Sequence, residues 1–268
     1  MKKIFTVLTT LILASGLFFG CDKKNKEDNS LEELKARGEF ILGLDDAFPP
    51  LGFRDDDNNI VGYDIDLAKE VAKRLGVKFV AQPINWDSKE QELSTGKIDC
   101  IWNGLTITPE RKEKLSFTKP YLNNAQVLVV KNDSGINTLA DLKGKVVGLQ
   151  GGSSAQDAVS ANPEFESSLK QVVPFAQNLL ALTHLSVGGL DAVVMDVVAA
   201  EYSIKASNYP LHTLSESLAS EEYGIAFRKG DVKLTNEVQR ILEEMAKDGT
   251  VAAISEKWFG TDISVIGK

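Results

Sequence analysis

An α/β fold in two similar lobes is what this sequence predicts, and three observations point there. Strand-like and helix-like stretches alternate along the chain, the βαβ order that builds largely parallel sheets. The segment Thr95-Gly96-Lys97-Ile98-Asp99-Cys100-Ile101-Trp102-Asn103-Gly104 is echoed by Val187-Gly188-Gly189-Leu190-Asp191-Ala192-Val193-Val194-Met195-Asp196, with glycine, Ile or Leu, aspartate and an apolar run in register. Once the leader and the polar stretch after it are set aside, roughly 240 residues remain, which suits two lobes of about a hundred each.

The elements follow in order. A short helix from Leu31 stops at Gly38, and Phe40 to Leu44 is an apolar strand that delivers Asp45 and Asp46 at its carboxyl end. After the Pro49-Pro50 turn, Asp64 is the expected N-cap of a helix in which Ile65, Leu67, Ala68, Val71, Ala72 and Leu75 keep helical spacing as far as Gly76. Val77 to Val80 is a strand, Trp86-Asp87-Ser88 starts a short helix closed by Gly96, and Ile98 to Trp102 is a buried strand. The chain crosses to a second unit around Tyr121 to Gln126. There Ala140 to Leu142 is a short helix, Val146 to Leu149 a strand, and Gly151-Gly152-Ser153-Ser154 the opening of a helix. Asn178 to Leu185 is a helix leading to the strand that ends at Asp196. Glu221 to Phe227 reads as one returning strand, and helices over Leu234 to Ala246 and Val251 to Phe259 close the chain.

The polar run from Asn103 to Arg111 follows an apolar strand, so it sits where open α/β sheets bind ligands, at the carboxyl ends of the strands. Arg111 can there meet a small carboxylate, and Asp196, ending a strand in the other unit, can meet an ammonium. A free α-amino acid presents that charge pair; two ordinary surface charges at strand ends are the plainer alternative. The glycines and hydroxyls of residues 151–154 expose backbone N–H groups at a helix start, which suits a carboxylate, although a simple turn with an N-cap reads the same way.

Residues 1–20 combine Lys2 and Lys3 with an uncharged apolar run from Ile4 to Phe19 and then Gly20, the layout of a secretory signal peptide rather than a membrane span. Cys21 comes next, which suggests lipid attachment; a free thiol near an ordinary cleavage site is the alternative. Asp22 to Ser30 include no apolar side chain, so residues 21–30 read as a lipidated, solvated tether. Cys100, the second cysteine, lies in an apolar strand and reads as core packing. Removing Lys2 and Lys3 with the leader takes the net charge from −8 to about −10, which argues against nucleic acid as a partner. His184 and His212 lack metal-ligand spacing, and no metal or cofactor is expected.

Four motifs then stand in a telling order between Phe40 and Phe259: Val61-Gly62-Tyr63-Asp64-Ile65-Asp66-Leu67-Ala68, Leu105-Thr106-Ile107-Thr108 with Arg111, Phe117-Thr118-Lys119-Pro120-Tyr121, and Leu190-Asp191-Ala192-Val193 with Asp196. Together they resemble the bacterial extracellular solute-binding proteins of family 3, the polar-amino-acid capture subunits of ABC importers, and the segment before Cys21 resembles a lipoprotein lipobox. The resemblance implies a type II, two-lobe Venus-flytrap fold, with residues 31–123 and 217–268 in lobe 1, 124–216 in lobe 2, and hinge crossovers near 121–126 and 214–222.

It also implies roles. Arg111 would grip the ligand carboxylate, helped by Thr106, Ser153 and Ser154, because a planar guanidinium meets both oxygens at once. Asp196 would take the ammonium, with the Gly104 carbonyl and the Thr106 hydroxyl as further acceptors. Phe48 and Trp86 would sandwich the side chain, core packing being their alternative, and Asp45 would face its far end. Asn103-Gly104 and Gln150 depart from the basic-amino-acid pattern. The expectation is therefore a monomeric, non-enzymatic binding protein, anchored by lipid (palmitate included) outside the cytoplasmic membrane. It would deliver glutamine, or second a basic amino acid, to permease subunits. A dehydratase of the cyclohexadienyl type on the same fold, with Asp45 as its acid, and an amino-acid sensor or adhesin are the alternatives.

Overall fold

Two five-stranded sheets of the same design carry most of the chain in a computed structural model that describes residues 27–268; the expected signal peptide and Cys21 lie outside the described residues. The chain runs α1 (Ser30–Arg37), β1 (Glu39–Leu44), the small strands β2 (Ala47–Phe48), β3 (Gly52–Arg54) and β4 (Ile60–Val61), α2 (Tyr63–Leu75), β5 (Lys78–Pro83), α3 (Lys89–Ser94), β6 (Cys100–Ile101), α4 (Pro109–Lys114) and β7 (Leu115–Phe117). It continues through β8 (Leu122–Lys131), β9 (Val146–Gln150), α5 (Ser154–Ser160), α6 (Pro163–Ser168), β10 (Gln171–Phe175), α7 (Asn178–Ser186), β11 (Ala192–Asp196), α8 (Val197–Ser207) and β12 (Leu211–Tyr223). β13 (Ala226–Arg228), α9 (Val232–Lys247) and α10 (Thr250–Phe259) finish it.

The first sheet has the order β5-β1-β6-β13-β7 and the second β10-β9-β11-β8-β12. In each, three parallel strands are followed by two that run antiparallel to their neighbours. β6 and β11 hold the same central place, and they carry the two echoed sequence segments. The chain is thus a two-lobe α/β structure in which each lobe repeats one plan.

The lobes are built by ordinary burial. On α9, Leu234, Val238, Ile241, Leu242 and Met245 recur at helical spacing and are all buried against the first sheet's core. Each such side chain contributes roughly 1.5–3 kcal/mol when removed from water. Leu128, Val130, Val147, Leu149, Ala192 and Val194 alternate on one face of the second sheet and form its own cluster. Cys100 is buried in the first core, and burial pushes its thiol well above the usual range.

Several expectations are corrected. Asp28 and Ser30 are not part of a solvated tether: Asp28 accepts from Lys233 N at 2.6 Å and the Ser30 hydroxyl from Leu234 N at 3.2 Å, so the arm docks on the start of α9. The N-cap of α2 is Gly62, and Asp64 turns its side chain into the core instead. Here the backbone comes so close to Leu51 that a Cβ on Gly62, at φ 144°, would stand 2.1 Å from the Leu51 carbonyl oxygen. Glu221 to Phe227 is not one strand. β12 pairs with β8 as far as Tyr223, and after Gly224 the chain changes sheets to become β13. α6, β10 and α8 had no counterpart in the sequence reading; Pro174 inside β10 and the weak amphipathy of α8 obscure both patterns.

Candidate functional site

β6, β9 and β11 all end at the cleft between the lobes, and their loops converge there. α4 begins with Thr108 as N-cap, whose hydroxyl accepts from Arg111 N at 3.1 Å, and Pro109 follows with no N–H to satisfy. This short helix points Arg111 inward. The guanidinium is buried, with Nη1 donating to the Thr106 carbonyl at 2.9 Å and Nη2 3.7 Å from Asp157. Opposite it, the Ser154 hydroxyl lies 2.9 Å from the Thr106 hydroxyl, across the cleft, while the Ser153 hydroxyl donates to the Gln150 carbonyl at 2.7 Å. Ser153 therefore stands at the N-cap position of α5 without capping it by its side chain.

Asp196 closes β11 and is buried. Its Oδ1 accepts from Asn124 Nδ2 at 2.7 Å, Gln126 Nε2 at 2.8 Å and the Tyr223 hydroxyl at 2.5 Å. Burial raises its carboxyl well above the usual carboxylate range, and the nearby Glu221 charge adds to the effect. Gly104 sits beside it at φ 62°, where a Cβ would come within 2.7 Å of Leu51 and 2.9 Å of Phe48. Only glycine fits that approach. Its N–H donates to Asp64 Oδ2 at 2.9 Å, as does the Tyr121 hydroxyl at 2.8 Å, so a buried carboxyl fixes the Asn103-Gly104 turn from behind.

At the other end, Asp45 Oδ2 accepts from Gln150 Nε2 at 2.7 Å, and Oδ1 accepts from Ala47 N at 3.0 Å and Gln177 Nε2 at 3.4 Å. Asn103 Oδ1 takes the Asp45 N–H at 3.0 Å, and Gln150 Oε1 takes Asn178 Nδ2 at 3.3 Å. Burial lifts the Asp45 carboxyl above its ordinary value, and the Gln150 amide works against that rise. Asp46 belongs elsewhere: it pairs with Arg54 at 2.6 Å on the exposed side and does not line the cleft. Phe48 and Trp86 are buried at the cleft wall. Lys89 Nζ stands 5.0 Å above the Trp86 ring and bridges the Trp86 carbonyl to the Gly152 carbonyl of the other lobe, at 3.2 and 2.9 Å. Burial, aided by the Arg111 charge, pulls the Lys89 ammonium down to about 8.

All eleven candidate residues (Asp45, Phe48, Trp86, Asn103, Gly104, Thr106, Arg111, Gln150, Ser153, Ser154 and Asp196) line one nearly filled cavity with about 10 Å³ of free space. That is room for about one water molecule, so the lobes stand closed over the site. A guanidinium stands at one place in it and a carboxylate at another, with a second carboxyl further off among amides. Such a set of groups is complementary to a small zwitterion with a polar tail.

Sequence reading missed Asn124, Gln126, Gln177, Lys89, Glu221 and Tyr223. Asn124 and Gln126 share a face of β8, as Glu221 and Tyr223 share a face of β12, so polar residues two apart on a crossover strand were an available signal. Lys89 and Gln177 carry none, because their partners come from distant loops.

Residues 40–261 match the family model for bacterial extracellular solute-binding proteins, family 3. The L-cystine-binding protein TcyJ of Escherichia coli (strain K12) is 35% identical over 256 residues, covering 94% of this chain and 95% of that protein. The structure of Tv2483 bound to L-arginine is similar with a TM-score of 0.86 at 32% identity, covering 90% of this chain and 99% of that one. An ABC uptake transporter substrate-binding protein from Streptococcus pneumoniae with bound histidine also gives 0.86, at 36% identity and 89% and 99% coverage. With the fold, the order of the motifs and the family match in agreement, the chain belongs to the bacterial extracellular solute-binding proteins, family 3.

Proposed function

We propose that this protein binds a polar L-amino acid outside the cytoplasm and hands it to the permease of an ABC importer. The observation that carries the reading is the placement of Arg111 and Asp196 in one buried cavity, each held by its own neighbours and offering opposite charge. The ligand carboxylate goes to Arg111 with Thr106, Ser153 and Ser154, and the ammonium to Asp196 with the Gly104 carbonyl. Phe48 and Trp86 flank the side chain. The relatives support the class of ligand, since those described above are named for, or hold, cystine, arginine or histidine.

The side chain reaches Asp45, which already accepts from the amides of Gln150 and Gln177. That environment favours N–H donors: glutamine, or a basic amino acid. The same contacts speak against a dehydratase, because a carboxyl serving as acceptor to two amides is arranged to receive N–H groups, not to aim a proton at a ring. Cys21 is the proposed lipid anchor, which would keep the protein at the membrane face where the permease lies.

A thermal-shift screen of the purified protein against the twenty amino acids and cystine tests this. A ligand at a hundred times its Kd stabilises the folded state by about 2.7 kcal/mol, so a clear rise with glutamine or a basic amino acid is expected. No shift with any amino acid would overturn the reading.

A further inference from the structure

Resting on the amino-acid reading, we propose that Glu221 is a second carboxylate of the ammonium end, and that Asp196 and Glu221 share one proton which the arriving ligand ammonium displaces. The geometry is a bridged acid pair. Asn124 Nδ2 lies 2.7 Å from Asp196 Oδ1 and 2.8 Å from Glu221 Oε2, and Gln126 Nε2 lies 2.8 and 3.0 Å from the same two oxygens. An amide nitrogen has two protons, so each can give one to either carboxyl group. Glu221 Oε2 also accepts from the Thr106 hydroxyl at 3.0 Å, which puts it against the cavity that Asp196 lines.

Asn124 and Gln126 are 7% and 0% exposed, and their side-chain oxygens find no donor among the described residues; the Asn124 nitrogen serves the acid pair alone, and that of Gln126 also donates to the Ser154 hydroxyl at 3.2 Å. No lysine, arginine or histidine among the described residues lies within 4.0 Å of either carboxyl group. The surrounding charged groups are engaged elsewhere. Arg111 holds the Thr106 carbonyl and faces Asp157, Lys89 bridges the Trp86 and Gly152 carbonyls, and Tyr223 gives its hydroxyl proton to Asp196 as a neutral donor. Glu222, next in β12, is exposed and faces the other side of the strand. Two carboxyl groups joined through the same two amide nitrogens, with no cation beside them, repel each other when both are charged, and burial with the Glu221 charge raises the Asp196 carboxyl.

The ligand changes that balance. Its ammonium brings a full positive charge and keeps its own three protons. The O–H bond of the shared acid breaks, the electron pair stays on the carboxylate oxygen, and the proton leaves to water. A route exists: Glu221 also lines a wider cleft of about 750 Å³ with Asn123, Thr108 and Asp157, on the far side of Thr106 and Ser154.

The test is calorimetry of the whole protein with L-arginine and L-glutamine, whose side chains do not titrate between about pH 5 and 8. Titrations near pH 6 in two buffers of different ionisation enthalpy count the protons released. The wild type is expected to release close to one proton per ligand, and its Kd to tighten by up to about tenfold per pH unit until the pair has lost its proton. Glu221→Gln is expected to release clearly less and to show a shallower pH dependence of Kd, with Glu221→Asp restoring the release. Binding by the wild type without proton release, or a Glu221→Gln profile parallel to the wild type, would overturn the proposal. If neither amino acid nor any other binds, the amino-acid reading itself fails.

Discussion

Arg111 keeps guanidinium donors free for a ligand, since a single N–H is taken by the Thr106 carbonyl and Asp157 stands at the edge of contact. Arg111→Ala would strand a ligand carboxylate in a buried place, and breaking such a pair costs about 3–5 kcal/mol. Calorimetry is expected to show a loss of two to three decades or more in Kd, with the circular dichroism spectrum unchanged. Asp45 sets the other end. Asp45→Asn replaces a charged acceptor by a neutral one and should weaken a basic ligand by roughly 1.5–3 kcal/mol while relieving the exclusion of glutamate. Titrating arginine and glutamate into both forms checks this; an unchanged ratio would place Asp45 away from the ligand. Arg111 and Asp196 were legible in the sequence because each ends a strand or opens a helix at the edge of an apolar run. Lys89 and Gln177 were not, because their partners come from distant loops, and Gln126 and Glu221 were marked only by polar residues two apart on the crossover strands.

At the scale of elements, α2 does more than cover a sheet. Its Asp64 carboxyl is buried, holds Gly104 N–H and the Tyr121 hydroxyl, and is pushed up to about 7 by burial. A carboxyl raised in the folded state from an ordinary value of 3.8 favours folding at low pH, and that contribution is lost as pH rises through about 7. Asp64→Asn keeps an acceptor oxygen for both donors and removes the titration. Its melting temperature should therefore fall less than that of the wild type between about pH 5 and 8. Parallel melting curves would show that Asp64 does not titrate there. The sequence announced α2 through its apolar spacing but put Asp64 at the cap, since an aspartate near a helix start is the usual cap signal. The close approach of Leu51, which requires Gly62 at the cap, arises from the small β2–β4 sheet and has no local signature.

For the molecule as a whole, the two lobes meet across the cleft through Gln150–Asp45, Lys89–Gly152, Thr106–Ser154 and the Phe53 and Tyr202 rings, 6.0 Å apart. The repeat of the segment around Asp99 in that around Asp191 made the two-lobe plan readable, because both copies form the central strand of a sheet. The closing contacts were unreadable, since each joins residues far apart in sequence. The proposed membrane attachment belongs to this scale too: Cys21→Ser should move the protein from the membrane to the soluble fraction on cell fractionation, and equal retention would remove the lipid anchor. The central claim is that one cavity clamps both charges of a free α-amino acid. It is tested most directly by calorimetry comparing the best-binding amino acid with its α-carboxamide and its N-acetyl derivative. Each derivative is expected to bind at least about a hundredfold more weakly, or about 2.7 kcal/mol. Either one binding within tenfold of the parent would contradict the clamp.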